Sequence, residues 1–342
     1  MFKEMEDVFT IAEISCNHGG DFTAAVNLIR RAAESGASAV KFQAYTPKTM
    51  TINCTNRHFM IQHPEWGGQT LYELYQKART PWDWFPALKK EAESKGLIFL
   101  CTSFDTTSVD MLEELGVCAH KIASFELIDN ELIIHAAVTG KPLILSTGMA
   151  TLSEIDFAVR TARAAGTTDL LLLRCVSSYP AKPQDMDLNT LMDMKKQYGC
   201  PVGVSDHTLG NEVAIASVAL GGIVVEKHFI NSREFKSYDN FFSTEPSEFA
   251  DMVNSVKITK EAIGEVRYGP TEEEKKNRIF RRSLFVVKNV KKGDKFTREN
   301  VRSIRPSGGL APVFLNSVDI LGSKATMDIQ RGTPLDWDMI DN

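Results

Sequence analysis

The sequence has little that would tie it to a membrane, a nucleic acid or an oxidising compartment. No run of residues approaches a membrane span, and the opening MFKEMEDVFTIAE lacks the apolar core of an export signal. A formal net charge of -5 leaves no basic footprint for nucleic acid, so an anionic substrate must be met by local lysines and arginines. The cysteines (Cys16, Cys54, Cys101, Cys118, Cys175 and Cys200) show neither zinc-ribbon nor redox spacing. Reduced thiols in a cytoplasmic protein are therefore expected. No glycine-rich dinucleotide fingerprint opens the chain, which weighs against a doubly wound open sheet. What remains is the composition of a soluble globular protein, 43% hydrophobic and 24% charged.

What is present is alternation. Short apolar runs (FTIAEIS, AVKFQAY, LIFLCTSF, AHKIAS, PLILST, LLLLRCVS, PVGVSD and IVVEKHF) are separated by stretches with helical periodicity. The last of these runs from Pro246 to Ile263 behind a Glu-Pro-Ser-Glu start. Eight strand–helix units over about 260 residues predict an α/β fold, a (β/α)8 TIM barrel occupying residues 1–268. The link from Thr46 to Thr80 is far longer than most, and its His63, Trp66, Tyr72 and Tyr75 point to an insertion on the catalytic face. Residues 269–283 read as a charged linker. In residues 284–342, Val290, Gly293, Phe296 and Val301 recur 39 positions later as Ile329, Gly332, Leu335 and Ile340. That repeat predicts a compact pseudo-symmetric β-rich module, with the rigid loop Arg305–Pro312 between its copies.

Function in such a barrel sits at the carboxyl ends of the strands. Two signatures there stand out, Ser205-Asp206-His207 and Glu226-Lys227-His228. Alternation puts Ser205 with His207, and Glu226 with His228, on one face. Two imidazoles without a third fixed ligand suit an exchangeable Mn²⁺ or Mg²⁺ acting as a Lewis acid. Glu13 and Glu226 are candidate acid/base carboxylates, with structural ion pairing as the competing reading. Lys41 and Lys121, among the hydroxyls of Thr102, Ser124 and Ser205, form an anion clamp for phosphate or carboxylate. A Schiff-base aldolase using one of these lysines is the rival chemistry, and a non-catalytic sugar-binding protein the rival class. Arg305, a cation on a rigid loop of a module too small to stand easily alone, could complete a binding site.

The stretches IAEISCNHGGD, AVKFQAYTP, HKIASFE, STGMAT, SSYP, VGVSDHTLG, VVEKHF and RSLFVVKNVKKGD…RSIRPSGGLAP together resemble the sialic acid synthase family, the phosphoenolpyruvate-dependent nonulosonic acid synthases. The resemblance implies a barrel followed by an antifreeze-like (SAF-type) domain, and a domain-swapped homodimer in which that domain covers the partner's site. It implies a divalent metal on His207 and His228, Mn²⁺ ahead of Mg²⁺ or Co²⁺. It places phosphoenolpyruvate on Lys41, Thr102, Lys121, Ser124, Ser177 and Ser205. The sugar would meet Gln43, Tyr179, Asp239 and Arg305, and Glu13 and Glu226 would be the essential carboxylates. WGGQTLYELYQKARTPWDW and NRIFRRSLF resemble the pseudaminic acid synthase branch, which implies 2,4-diacetamido-2,4,6-trideoxy-L-altrose as acceptor. Neuraminic and legionaminic acid synthases are the alternatives within the family. One departure from the family pattern is Asn240, which follows Asp239 where relatives commonly carry serine.

Overall fold

Eight short strands, each ending near a polar side chain, set the architecture. They are β1 (Phe9–Glu13), β2 (Ala39–Ala44), β3 (Ile98–Ser103), β4 (His120–Ile122), β5 (Leu143–Ser146), β6 (Leu170–Cys175), β7 (Val202–Asp206) and β8 (Val224–His228). In the computed structural model, which describes residues 1–317 and 320–341, all eight pair in parallel and β8 returns to β1, closing a barrel. The register sets Glu13 beside Lys41 and His228, Thr102 beside Lys121, and Ser205 beside Glu226.

The barrel interior has two chemically distinct layers. Ile11, Ala39, Leu100, Ala119, Ile144, Leu173 and Val224 belong to one buried apolar cluster. Two residues further along the same strands stand Glu13, Lys41, Thr102, Lys121, Ser146, Cys175 and Glu226, all lining one cavity. Side chains two apart share a face, so each strand contributes one apolar plug and then one functional group. On β7 the plug position is Gly203, where a Cβ would lie 2.3 Å from the Val224 carbonyl oxygen and 2.9 Å from Leu173 Cδ2. Glycine is required there by close packing.

The helices cover the outside. Those at Phe22–Glu34, Phe85–Ser94 and Pro246–Ile263 pack Leu28, Leu88 and Phe249 against the outer faces of the strands, all 2% exposed or less. The long connection after β2 carries two helices, Pro47–Met50 and Leu71–Ala78, each opened by a threonine capping box. Among the described residues no helix is long and apolar enough to cross a membrane.

The chain divides into two compact units, Met1–Gly264 and Glu265–Asn342, a boundary a few residues before the expected Tyr268. The stretch read as linker holds a short helix, Glu272–Lys276, behind a Thr271 cap, then a 3-10 turn. Its last residue, Ser283, is already in a strand because it pairs with Ile304. The C-terminal unit is built from antiparallel pairs, β9 (Ser283–Val286) with β10 (Val301–Ile304) and β11 (Lys324–Ala325) with β12 (Ile340–Asp341). The sequence repeat is physical here. Val290 and Ile329 pair with each other through hydrogen bonds of 2.9 and 2.7 Å. Gly293 and Gly332 take matching left-handed φ values of 89° and 91°, and Phe296 and Leu335 are both fully buried.

Candidate active site

Strand alternation brings two lysines and two glutamates to the floor of one cavity of about 400 Å³. All four side chains are at most 5% exposed. Lys41 Nζ lies 2.5 Å from Glu13 Oε2, donates to Thr102 Oγ1 at 2.8 Å and sits 3.7 Å from Glu226 Oε1. Lys121 Nζ donates to both oxygens of Glu226, at 3.1 and 3.0 Å, and Ser205 Oγ donates to Oε1 at 3.0 Å. Gln43 Nε2 bridges Glu13 Oε1 at 3.0 Å and Ser15 Oγ at 2.9 Å.

The two lysines differ. Burial pulls each ammonium down, but at Lys41 the charges of Glu13 and Glu226 outweigh it, and the group ends above its ordinary value. At Lys121 burial dominates, with Lys41 repelling it, and the group ends below. Glu226 would be pushed up by burial, yet Lys121 and then Lys41 hold it at about 2.

Beside this floor is an uncharged cradle. Gly148 N–H donates to Ser124 Oγ at 3.0 Å. A Cβ on Gly148 would lie 2.3 Å from Ser177 Oγ and 2.7 Å from Ser124 Oγ, so the three converge on a space only glycine leaves open. Ser146 adds a buried hydroxyl with no hydrogen-bond partner among the described residues. Hydroxyls and a backbone amide around an open space are what the oxygens of an anion need.

The two imidazoles lie on the same cavity wall, ring centroids 5.3 Å apart. His207 Nδ1 donates to the Val176 carbonyl at 2.9 Å, which leaves Nε2 with its lone pair. Burial would lower the His207 imidazolium, but Cys175, 3.8 Å away, and the Val176 carbonyl outweigh burial and raise it. His228 Nδ1 is buried, with no hydrogen bond among the described residues, and lies 3.4 Å from Asp239 Oδ2. Among the described residues no three His, Cys, Asp or Glu side chains converge as a metal site. Two imidazoles, one facing the Asp239 carboxylate and one oriented by a carbonyl, fit a loosely held divalent ion completed by water or substrate, not a closed structural centre.

Toward solvent the floor opens into a wider cavity, which shares Gln43, Tyr179 and His228 with it. The long connection after β2 supplies its wall through Trp66, Leu71, Leu74 and Tyr75. Trp66 Nε1 donates to the Tyr238 carbonyl at 2.6 Å, and its ring lies 5.7 Å from Tyr179. Asp239 lines the same wall and accepts from Ser15 Oγ at 2.6 Å. Burial would raise the Asp239 carboxyl, but His228 and Ser15 hold it below the ordinary range. Asn240 is turned away, its amide donating to the Arg233 carbonyl at 3.0 Å.

Of the barrel residues given catalytic, binding or metal roles from sequence, all but Ser177 line these two cavities, and Ser177 stands beside the smaller one, next to Gly148 and Ser124. Arg305 does not join them within the barrel unit. It follows β10 in the C-terminal unit and is exposed. Sequence reasoning missed Glu126, which lines the outer cavity with a buried Oε2 that has no hydrogen-bond partner among the described residues, and a carboxyl that burial pushes up to about 7. It also missed Gly148 and Ser15. Glu126 lies in the HKIASFE stretch two residues after Ser124, the one local signal that could have marked it.

Comparison with known proteins identifies the family. A model of the NeuB family matches residues 28–268, and an SAF domain matches residues 281–341. A pseudaminic acid synthase of Helicobacter pylori is 40% identical over 97% of both chains. An N,N'-diacetyllegionaminic acid synthase of Legionella pneumophila is 34% identical, covering 97% of this chain and 94% of its own. The crystal structure of an N-acetylneuraminic acid synthetase from Leptospira borgpetersenii superposes with a TM-score of 0.71 at 34% identity, covering 79% of this chain and 90% of its own. The chain belongs to the NeuB family, the phosphoenolpyruvate-dependent sugar-acid synthases, and carries a C-terminal SAF domain.

Proposed function

We propose that the chain condenses phosphoenolpyruvate with 2,4-diacetamido-2,4,6-trideoxy-L-altrose to give pseudaminic acid and phosphate. The observation that carries this reading is the juxtaposition of a buried Lys41–Lys121 floor and hydroxyl cradle with an aromatic-walled cavity large enough for a sugar. The identity to pseudaminic acid synthases, running the full length of the chain, supports the acceptor.

Lys41, Lys121 and Thr102, with Ser124, Ser177, Ser205 and the Gly148 amide, hold the phosphate and carboxylate of phosphoenolpyruvate. Gln43, Tyr179, Asp239 and Trp66 orient the open-chain sugar so that its aldehyde carbon meets C3 of phosphoenolpyruvate. Attack forms the C–C bond and leaves positive charge at C2, which Glu13 and Glu226 stabilise from the floor. Water adds at C2 and gives up its proton to a carboxylate, while the aldehyde oxygen takes one up. The tetrahedral adduct expels phosphate by C–O cleavage. We favour Glu13 as the base; Glu226, a carboxyl held at about 2 by two lysines, accepts protons poorly.

His207 and His228 would hold the divalent metal, Mn²⁺ ahead of Mg²⁺ or Co²⁺, which supplies Lewis-acid polarisation of the aldehyde when bound. The charge count supports it. Two lysines are already balanced by two glutamates, so an incoming trianion gains no net positive charge without a cation. Arg305 would complete the sugar site of a second copy in a domain-swapped homodimer. The cytoplasm is the compartment that suits six free thiols.

The test is phosphate release from phosphoenolpyruvate with Mn²⁺ and a panel of acceptors. Turnover is expected with the trideoxy altrose sugar. Turnover of N-acetylmannosamine or the diacetamido mannose analogue instead would reassign the chain to neuraminic or legionaminic acid synthesis. Borohydride trapping of substrate on Lys41 or Lys121 would replace the mechanism with a Schiff base.

A further inference from the structure

The residues between the site residues face the other way. On β7 and β8 the cavity receives Ser205, His207, Glu226 and His228, while Asp206 and Lys227 point outward, 1% and 2% exposed. They stand in register, the last paired positions of the two strands. Lys227 Nζ donates to Asp206 Oδ2 at 2.8 Å and to the Thr208 carbonyl at 2.5 Å. Asp206 Oδ1 accepts from Thr208 N at 2.8 Å and from Thr208 Oγ1 at 2.7 Å. Both chain neighbours of His207 are therefore strapped to the residue that precedes His228.

Stability alone does not call for this pair. It lies beside the apolar layer that includes Val204, Val225 and Phe249, all fully buried. A buried ion pair in such surroundings recovers little net free energy, and apolar residues of similar volume are often as stable or more so. A lysine here provides direction. Two of its donors are committed, one to a carboxylate on the neighbouring strand and one to a carbonyl beyond the histidine. That carries the β7–β8 pairing past Asp206, into the segment where His207 has left the ladder.

We infer that Asp206 and Lys227 are positioning residues that fix His207 against His228. The inference rests on the reading of those two imidazoles as the metal-holding pair. Neither residue touches substrate. They act through the backbone on either side of His207, whose own carbonyl accepts from Ala181 N at 3.0 Å.

The test uses the full chain with Asp206→Leu and Lys227→Met combined, so that neither charge is left buried alone. Mn²⁺ binding without substrate is followed by electron paramagnetic resonance, alongside thermal unfolding and a crystal structure of the variant. The expected result is a folded protein whose Mn²⁺ dissociation constant rises about 10- to 100-fold. In its crystal structure His207 Nδ1 should have left the Val176 carbonyl. Wild-type affinity with His207 in place would overturn the assignment. A second combination, Asp206→Asn with Lys227→Gln, keeps the volume and is expected to weaken Mn²⁺ binding in the same direction. If neither double variant folds, the pair is a stability element and the positioning role falls. If the wild-type chain binds no Mn²⁺, the metal reading fails by itself, and the position of His207 in the variant crystal still decides the role of the pair.

Discussion

On the floor of the cavity Lys41, Lys121, Glu13 and Glu226 come from four strands and hold one another within hydrogen-bond reach. At its mouth Trp66, Tyr75 and Phe104 come from connections, and their neighbours are rings and a backbone carbonyl. The difference teaches which part of the site can be changed separately. Each floor residue neutralises another, so removing one leaves a buried charge uncompensated. Each mouth residue contributes area and shape, so its loss costs contact, and at Trp66 a hydrogen bond to the Tyr238 carbonyl, but strands no charge.

The sharpest way to break this contrast is Lys121→Met. It removes an anion contact and strands Glu226 with only Lys41, 3.7 Å away, and Ser205. Phosphate release should fall on the order of 10³-fold or more, and unfolding should cost about 3–5 kcal/mol less. The acid limb should move too. A carboxyl held at about 2 contributes fully above its unfolded value and loses that contribution as pH falls toward 2. In Lys121→Met the carboxyl is held down less, so the loss between its unfolded value and pH 2 should shrink, which a denaturation series between pH 2 and 6 reads directly.

Next in size is the imidazole pair. His207→Ala, or chelation of the wild-type chain, should lower phosphate release on the order of 10³-fold, the scale of a lost Lewis acid. Mn²⁺ should restore the chelated wild type and leave the variant inactive. At the mouth, Trp66→Ala should raise the KM for the sugar about tenfold and leave that for phosphoenolpyruvate near wild type. Equal losses for both substrates would erase the distinction between floor and mouth.

The smallest expected effect belongs to Glu126. Its carboxyl, at about 7 when folded, is raised above its unfolded value, so its penalty grows as pH rises from about 4.5 through 7. Glu126→Gln should remove that slope, raising the melting temperature at pH 8 relative to wild type by ~2 °C for about 1 kcal/mol. No change at pH 8 would show that the group is already ionised without penalty.

The floor was legible in the sequence because a strand repeats every two residues. Once Lys41 is placed inward, Gln43 follows, and the same step runs from Ala119 to Lys121 and from Val224 to Glu226. The mouth has no such period. Trp66 could be flagged by its place in an over-long connection, but not its bond to the Tyr238 carbonyl, 172 positions away. Glu126 stands in a 3-10 turn, where neither the strand nor the helix step assigns a face. Gly148 escaped because its function is the absence of a side chain, visible only once Ser124 and Ser177 are placed around it. The outward residues Asp206 and Lys227 were in plain view inside the two histidine signatures. Their partnership needed the register of β7 against β8.

The doubled build of the C-terminal unit has a consequence for how it can diverge. Val290 meets Ile329 on the pseudo-axis, and the two glycine turns and buried Phe296 and Leu335 match copy for copy. A duplicated half-module keeps its framework in the matching positions, while the segment joining the copies answers to no symmetry mate. Residues 305–312 open that segment, so the framework acts as a chassis and this loop as its exchangeable part. Grafting a different loop between Ile304 and Val313 would then leave the scaffold beneath it standing.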